Sequence, residues 1–243
     1  MSNETVLRIQ TAFVIGVIVV GALLHFFHIG YPRQPVSDEA HFATYAADYA
    51  RGTPHLDIHP PLGKALYSFV LYFYPQERYE GVRFGMLEKK DQGIEYRPII
   101  GSYGAFPYAA LRGLGAFFGI ILPVLVFFFL KRLFPGGVFA PYFGSFFVLF
   151  ENSLLVDTRL ILMNGMFLAF GFAALCALMK YGQRPWIGGA VFGLALGVKF
   201  TAIIFAGASA MVIALMEGKK KIHRFIFFSC GGVCGAYRNI SFQ

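Results

Sequence analysis

Seven long apolar runs constrain what this chain can fold into more than any other feature of its sequence. They are residues 12–29, 105–134, 138–150, 160–179, 186–198, 200–216 and 225–243. A helix needs about 20 mostly apolar residues to cross a bilayer, and somewhat fewer where the bilayer is thin. The runs therefore predict an all-α bundle of membrane spans in a single domain over residues 1–243, with a re-entrant pair as the alternative for two short runs.

The composition excludes two other classes of protein. Of the 243 residues, 57% are hydrophobic and 14% are charged, whereas charged residues make up about 25% of an ordinary soluble domain. A disordered chain would combine low hydrophobicity with high net charge. The three cysteines, Cys176, Cys230 and Cys234, are too few for a disulfide framework and are interpreted as structural.

Basic clusters follow three of the apolar runs and predict the orientation of the bundle. They are Lys131-Arg132, Lys180 with Arg184, and the segment 219–224. Such clusters are typical of cytoplasmic flanks, so residues 30–104 and 151–159 are expected on the extracytoplasmic side. The same placement accounts for the net charge of +8 without a nucleic-acid partner. The first run lacks a small-residue cleavage site and is interpreted as a retained anchor.

The first external loop, residues 30–104, is predicted to carry helices of its own. Segment 36–51 is predicted as a helix capped by Ser37, with Asp38 and Glu39 in its first turn. Segment 64–74 is apolar and aromatic but too short to span, so it is expected to lie in the membrane interface. Residues 76–103 are expected to be irregular. The acidic pair is either a catalytic group near the membrane surface or a charged first turn favoured by the helix dipole.

A second polar cluster in this loop consists of His55, Asp57 and His59. In an extended chain these alternating side chains project to one side, as metal ligands do. No fourth ligand follows in the sequence, so we favour the alternative that the loop braces a site, and we expect no metal.

Ionisable residues also interrupt or border the later apolar runs. Asp157 and Arg159 lie on the predicted external hairpin, Arg112 lies inside the second run, and Lys199 separates two runs. Charges near a membrane core are costly and commonly mark function or pair with one another; the alternatives are hydration of the hairpin and snorkelling of the long side chains. Together with Asp38, these residues predict a pocket in which a carboxylate acts as general base and a cation holds a phosphate.

Several sequence motifs resemble those of the protein O-mannosyltransferases, which are lipid-carrier-dependent glycosyltransferases of the GT-C fold. The motifs are DEAHFATYAADYARG at 38–52, DIHPPLGK at 57–64, Arg112 with Ala116 and Gly119, ENSLLVDTRLIL at 151–162, and GLALGVKFTAI at 193–203. Their common order along most of the chain makes the resemblance more specific than any one motif.

The resemblance implies inverting transfer of a sugar, typically mannose, from dolichyl or polyprenyl phosphate to Ser or Thr of a translocated protein. By this resemblance Asp38 is the catalytic base and Glu39 helps to place the acceptor or the base. His59 and Lys64 shape the loop. The candidates for binding the substrate or the carrier phosphate are Arg112, Arg159, Lys199 and Asp157. The donor is then a co-substrate, no metal or other cofactor is required, and both a homodimer and a heterodimer are compatible.

Two departures from the family pattern affect this interpretation. Asn164 occupies a position that is usually acidic, which would alter the substrate, reduce activity or remove one supporting hydrogen bond. Family members also have roughly twice as many spans, so the chain is expected to be a truncated product or a short relative.

Other functions stay open at the level of the sequence. An enzyme of the same fold can act on a lipid or glycan acceptor, and a non-catalytic membrane subunit or pseudoenzyme would share these motifs. A transporter is disfavoured because the polar residues gather near one face and no internal repeat is visible. The expected location is the plasma membrane in a prokaryote or the endoplasmic reticulum membrane in a eukaryote.

Overall fold

A computed structural model describes residues 2–53, 57–82, 84, 87–90, 93–96 and 101–216 of the chain. The α-helices in this part are α1 (Asn3–Phe26), α2 (Glu39–Ala50), α3 (Leu62–Leu71), α4 (Tyr108–Leu133), α5 (Ala140–Phe150), α6 (Asn152–Thr158), α7 (Asn164–Lys180), α8 (Pro185–Val198) and α9 (Ile204–Met216). Short 3-10 helices occupy Gln76–Arg78 and Phe200–Ile203. The predicted span 225–243, Cys230, Cys234 and the basic segment 219–224 lie outside the described residues, as does His55.

The predicted all-α class is confirmed, with one small exception in the first loop. Strands β1 (Leu87–Lys90) and β2 (Gly93–Tyr96) pair as an antiparallel hairpin, with Leu87 opposite Tyr96. The expectation that 76–103 is wholly irregular was therefore wrong. The sequence offers little signal for these strands because three of the four residues of β1, Glu88, Lys89 and Lys90, are charged rather than β-branched or aromatic.

In the part of the chain that the structure describes, two helices are long and apolar enough to cross a bilayer. Helix α1 has 24 residues and α4 has 26, and both have high mean hydropathy. Most of α1 lies on the outside of the bundle with its aliphatic side chains exposed, as expected where lipid is the solvent. Pro123 lies inside α4 without ending it.

Helix α1 runs antiparallel to α4 and α8 runs antiparallel to α7, while α4 and α7 point the same way, so the polar ends gather at one end of the bundle. Helix α4 packs against α1, α5 and α7, while α7 packs against α8. The beginning of α4 and the beginning of α7 therefore lie near the ends of α1 and α8. At the opposite end, Lys131 hydrogen-bonds to Gln10 of α1. The basic flank of α4 is thus remote from the polar end.

The predicted cap of α2 differs from the observed one. The helix begins at Glu39, with Asp38 at the N-cap, because Ser37 has φ of +50° and cannot belong to a right-handed helix. The Glu39 side chain reaches back and accepts a hydrogen bond from the Val36 amide at 3.1 Å. Asp38 makes no side-chain capping hydrogen bond, so its carboxylate is not held against the backbone amides of the helix.

Close contacts between α1, α4 and α6 fix the polar end of the bundle. A side chain on Gly119 would place Cβ 2.4 Å from His25 Nε2 and 2.6 Å from Thr158 Oγ1. The absence of a side chain at Gly119 therefore lets buried His25 and Thr158 hydrogen-bond to each other at 3.0 Å. The sequence offers no signal for this polar contact, because its two residues are 133 positions apart.

Candidate active site

A pocket of about 210 Å³ lies at the polar end of the bundle, beside the start of α2 and the start of α7. It is lined by Ser37, Asp38, Phe42, His59, Asp157, Leu162, Met163, Asn164 and Lys199. The structure thus brings together Asp38, His59, Asp157 and Lys199 from four separate sequence motifs. Ser37, Phe42 and Leu162 were not predicted as site residues, since nothing in their residue types points to chemistry.

Asp38 is exposed and reaches the pocket from the turn before α2. The helix behind it is held rigidly, because Ala40, Ala43 and Ala47 are fully buried against the rest of the bundle. Their small side chains let α2 lie close to its neighbours. The carboxylate is therefore presented from a fixed backbone.

Glu39, the neighbour of Asp38, does not face the pocket. Its two oxygens accept hydrogen bonds from Arg112 Nε at 2.6 Å and Nη2 at 2.7 Å, and neither side chain has exposed surface. The Ile161 amide donates a further bond to Glu39 at 3.0 Å. Such a two-point, charge-assisted pair is strong, and breaking it leaves a buried charge.

The expectation that Arg112 binds the carrier phosphate differs from the structure. Arg112 Nη1 donates to the carbonyl oxygens of Ile29 and Pro32 at 3.1 and 2.8 Å. The rings of Tyr103 and Tyr108 lie 5.6 and 5.0 Å from its guanidinium carbon. Nη2 also donates to the Gln34 carbonyl oxygen at 3.4 Å, so all five guanidinium N–H groups have protein partners. Arg112 instead holds the loop before Asp38 against α4.

Lys199 enters the pocket from the break between α8 and the following 3-10 helix. Its ammonium nitrogen donates to Asn164 Oδ1 at 2.7 Å and lies 5.9 Å from the centre of the Phe167 ring. The backbone at Lys199 is extended, which turns the side chain away from the α8 axis and into the pocket.

Asp157 lies on α6 across from Lys199. Burial raises the pKa of the Asp157 carboxyl, while a hydrogen bond from Asn164 and the positive charge of Lys199 act in the opposite direction. The pocket therefore contains two carboxylates, Asp38 and Asp157, in different environments.

Lys64 braces the loop that brings His59 to the pocket. Lys64 is buried, and its ammonium nitrogen donates to Asp57 Oδ2 at 2.8 Å and to the His59 carbonyl oxygen at 2.7 Å. Burial works against the charge on Asp57, but the Lys64 ammonium outweighs it and the pKa of Asp57 falls below its ordinary value. Within the described ranges, no group of three or more His, Cys, Asp or Glu side chains has the spacing of metal ligands.

Arg159 lies outside the residues that line the pocket. It follows α6, and its guanidinium donates to the carbonyl oxygen of Phe27 at the end of α1. The side chain is half-buried and retains donors beyond that bond. The sequence placed Arg159 on the correct side of the bundle, while the structure turns it toward the outer edge.

Comparisons with known proteins bear on this site. A sequence model of the family described as dolichyl-phosphate-mannose-protein mannosyltransferase matches residues 15–219. Dolichyl-phosphate-mannose–protein mannosyltransferase 4 of Candida albicans is 28% identical over 208 residues, which cover 82% of this chain and 25% of that protein. The Schizosaccharomyces pombe protein of the same name is 28% identical and covers 74% and 22%, respectively. The chain therefore spans about a quarter of the length of these relatives.

A solved structure shares the fold. It is the Saccharomyces cerevisiae protein O-mannosyltransferase Pmt1-Pmt2 complex bound to the sugar donor, with a TM-score of 0.73 and 20% identity. The match covers 92% of this chain and 32% of that chain. It confirms the predicted GT-C-type helical bundle.

Proposed function

Because the chain belongs to the dolichyl-phosphate-mannose-protein mannosyltransferase family, we propose that it transfers mannose from a lipid-linked phosphate donor to Ser or Thr hydroxyls of translocated proteins. One observation supports this most directly: Asp38 and Lys199 line the same pocket. Such a transfer needs a base that accepts the proton of the acceptor hydroxyl and a cation that stabilises the leaving phosphate. A carboxylate and an ammonium that line one pocket can fill these two roles.

The proposed chemistry is an inverting displacement at the anomeric carbon of the sugar. The Asp38 carboxylate accepts the proton of the acceptor hydroxyl as its oxygen forms the new bond to that carbon. The bond between the same carbon and the carrier phosphate breaks, and the phosphate leaves with the bonding electron pair. The Lys199 ammonium stabilises the charge that develops on the phosphate.

The buried pair of Glu39 and Arg112 acts as a positioning device for Asp38. Arg112 donates hydrogen bonds to two carbonyl oxygens of the loop before Asp38. The Glu39 carboxylate accepts hydrogen bonds from the backbone amides of Val36 and Ile161. Preorganised groups contribute more to catalysis than mobile ones, since they need no rearrangement during the reaction. The Lys64 contacts play the corresponding role for His59.

The remaining candidates are assigned by their position. Arg159 is proposed to contact the carrier at the edge of the bundle, outside the pocket, through donors not used by Phe27. Asp157 is proposed to act on the donor phosphate through its charge, which interacts with that of Lys199 in the same pocket. No metal or other cofactor is part of this scheme.

The chain is a membrane protein, and we propose that it forms a single transmembrane domain whose loop 30–104 and pocket face the extracytoplasmic side. The basic residues at the opposite end of α4 and α7 support this orientation. The membrane is that of the endoplasmic reticulum in a eukaryote or the plasma membrane in a prokaryote. The solved relative is a two-protein complex, so a dimer with a related chain is proposed here too.

The direct test is sugar transfer by the full chain in liposomes. Synthetic dolichyl-phosphate mannose with a radiolabelled sugar is supplied together with Ser- and Thr-containing peptides. Label appearing on the peptide, and no label on a matched peptide with Ala at those positions, is the expected result. Label appearing on added lipid or glycan acceptors instead would overturn the protein acceptor, and no transfer to any acceptor would favour a non-catalytic subunit.

A further inference from the structure

Asn164, the first residue of α7, lines the pocket together with Asp157 and Lys199. Lys199 donates a hydrogen bond to Asn164 Oδ1 at 2.7 Å. An ammonium can only donate a hydrogen bond. The bond therefore directs the amide oxygen of Asn164 toward Lys199.

Lys199 is thus bonded to a neutral side chain rather than to a carboxylate. Among the described residues, Asp157 and Lys199 form no direct ion pair, although they are close enough for their charges to interact. An ammonium has three hydrogen-bond donors, and Asn164 uses one of those of Lys199. The other donors are available to a ligand in the pocket that Lys199 lines.

A single substitution among the residues that line the pocket changes the net charge of the pocket, and with it the attraction for a phosphate. Two carboxylates, Asp157 and Asp38, line the same cavity as Lys199. A unit charge a few ångströms from an anion changes its binding by tenfold or more at the effective dielectric of a partly buried site. An acidic side chain at 164 would add a second carboxylate directly against the ammonium.

We propose that Asn164 sets the affinity of the pocket for the phosphate of the lipid donor, by accepting a hydrogen bond from Lys199 without placing a second negative charge beside that ammonium. The inference rests on the proposed function, and it makes Asn164 and Asp157 positioning residues that act through Lys199. It predicts that the two positions act on phosphate binding with opposite signs.

The experiment measures binding of radiolabelled dolichyl phosphate to the full chain in lipid nanodiscs. Asn164→Asp should weaken binding by about tenfold, and Asp157→Asn should strengthen it several-fold, because the first adds and the second removes a negative charge near the phosphate. The double variant Asp157→Asn with Asn164→Asp keeps one carboxylate and should bind within about threefold of the wild type.

Asn152→Asp is the matched control, because it adds the same charge at an exposed position on α6 that does not line the pocket. It should leave dolichyl phosphate binding unchanged. Donor KM should rise in Asn164→Asp with a smaller change in kcat, which a general loss of folding would not produce.

Three results would overturn the proposal. They are weaker binding in all three variants, unchanged binding in Asn164→Asp, and no measurable binding by the wild type. The proposed transfer reaction fails separately: a wild-type chain that binds dolichyl phosphate but transfers no mannose would contradict the reaction, while the opposite signs of the two variants would still support the role of Asn164.

Discussion

Glu39 and Arg112, 73 residues apart, form a two-point ion pair with no exposed surface on either side chain. Glu39 is adjacent in sequence to the residue proposed as catalytic base, and Arg112 binds the loop that precedes it. The pair therefore connects the stability of this end of the bundle to the geometry of the pocket.

Breaking this pair should destabilise the protein strongly. Arg112→Met leaves a buried, unpaired carboxylate and should cost about 3–5 kcal/mol, seen as a large drop in the thermal unfolding temperature of detergent-solubilised protein. Arg8→Met removes an exposed ion pair with Glu4 and should cost less than about 1 kcal/mol. Equal effects of the two substitutions would contradict the structural role of Arg112.

A methyl group at Gly119 should disturb the contact between α1, α4 and α6. Gly119→Ala places Cβ against His25 and Thr158, and overpacking of this kind typically costs about 1–3 kcal/mol. Gly16→Ala is the matched control, since its Cβ would meet nothing within 4 Å. Unfolding of both variants in detergent measures the difference, and a stable Gly119→Ala protein would show that the described contact is wrong.

The loop that carries His59 should lose stability in acid. Because the pKa of Asp57 is lowered in the folded state, its pair with Lys64 contributes stability above the unfolded pKa of about 4. That contribution is lost as the pH falls through the lower folded value. Limited proteolysis of the loop should increase below about pH 4 in the wild type, whereas Asp57→Asn should be cleaved readily at every pH. A pH-independent wild type would argue against the pair.

Removing the Lys199 charge should weaken donor binding. Lys199→Gln retains a polar side chain but lacks the ammonium that is proposed to face the phosphate, so donor KM in the transfer assay should rise by tenfold or more. Lys180→Gln, at the opposite end of α7, should leave donor KM unchanged. An equal donor KM for Lys199→Gln and the wild type would remove Lys199 from the mechanism.

Much of the architecture could be predicted because apolar length and charge position are local properties of a sequence. The helical class and the gathering of Asp38, Asp157 and Lys199 at one end follow from them. The partner of Arg112 could not be predicted, since periodicity does not specify which side chains meet across 73 residues. A charged side chain is unfavourable in an apolar run, so the sequence predicted a partner or a function for Arg112. Its ion pair with Glu39 offsets that unfavourable energy.

The first residue of α2 could not be predicted from the sequence either. Ser37 is a common capping residue, so the sequence favoured a helix beginning after it. The structure places Ser37 in the left-handed region and begins the helix at Glu39, whose side chain pairs with Arg112. The residue type of Ser37 does not reveal this backbone conformation.

Asp38 is proposed to be the base that activates the acceptor hydroxyl, and Asp38→Asn removes that base. The substitution keeps the size of the side chain and should not disturb folding, since Asp38 is exposed and makes no capping hydrogen bond. The measurement is the rate of mannose transfer to peptide in liposomes, normalised to folded protein. We expect at least a hundredfold lower rate at unchanged donor binding, in line with the contribution of a general base; a variant that transfers at the wild-type rate would contradict the role of Asp38.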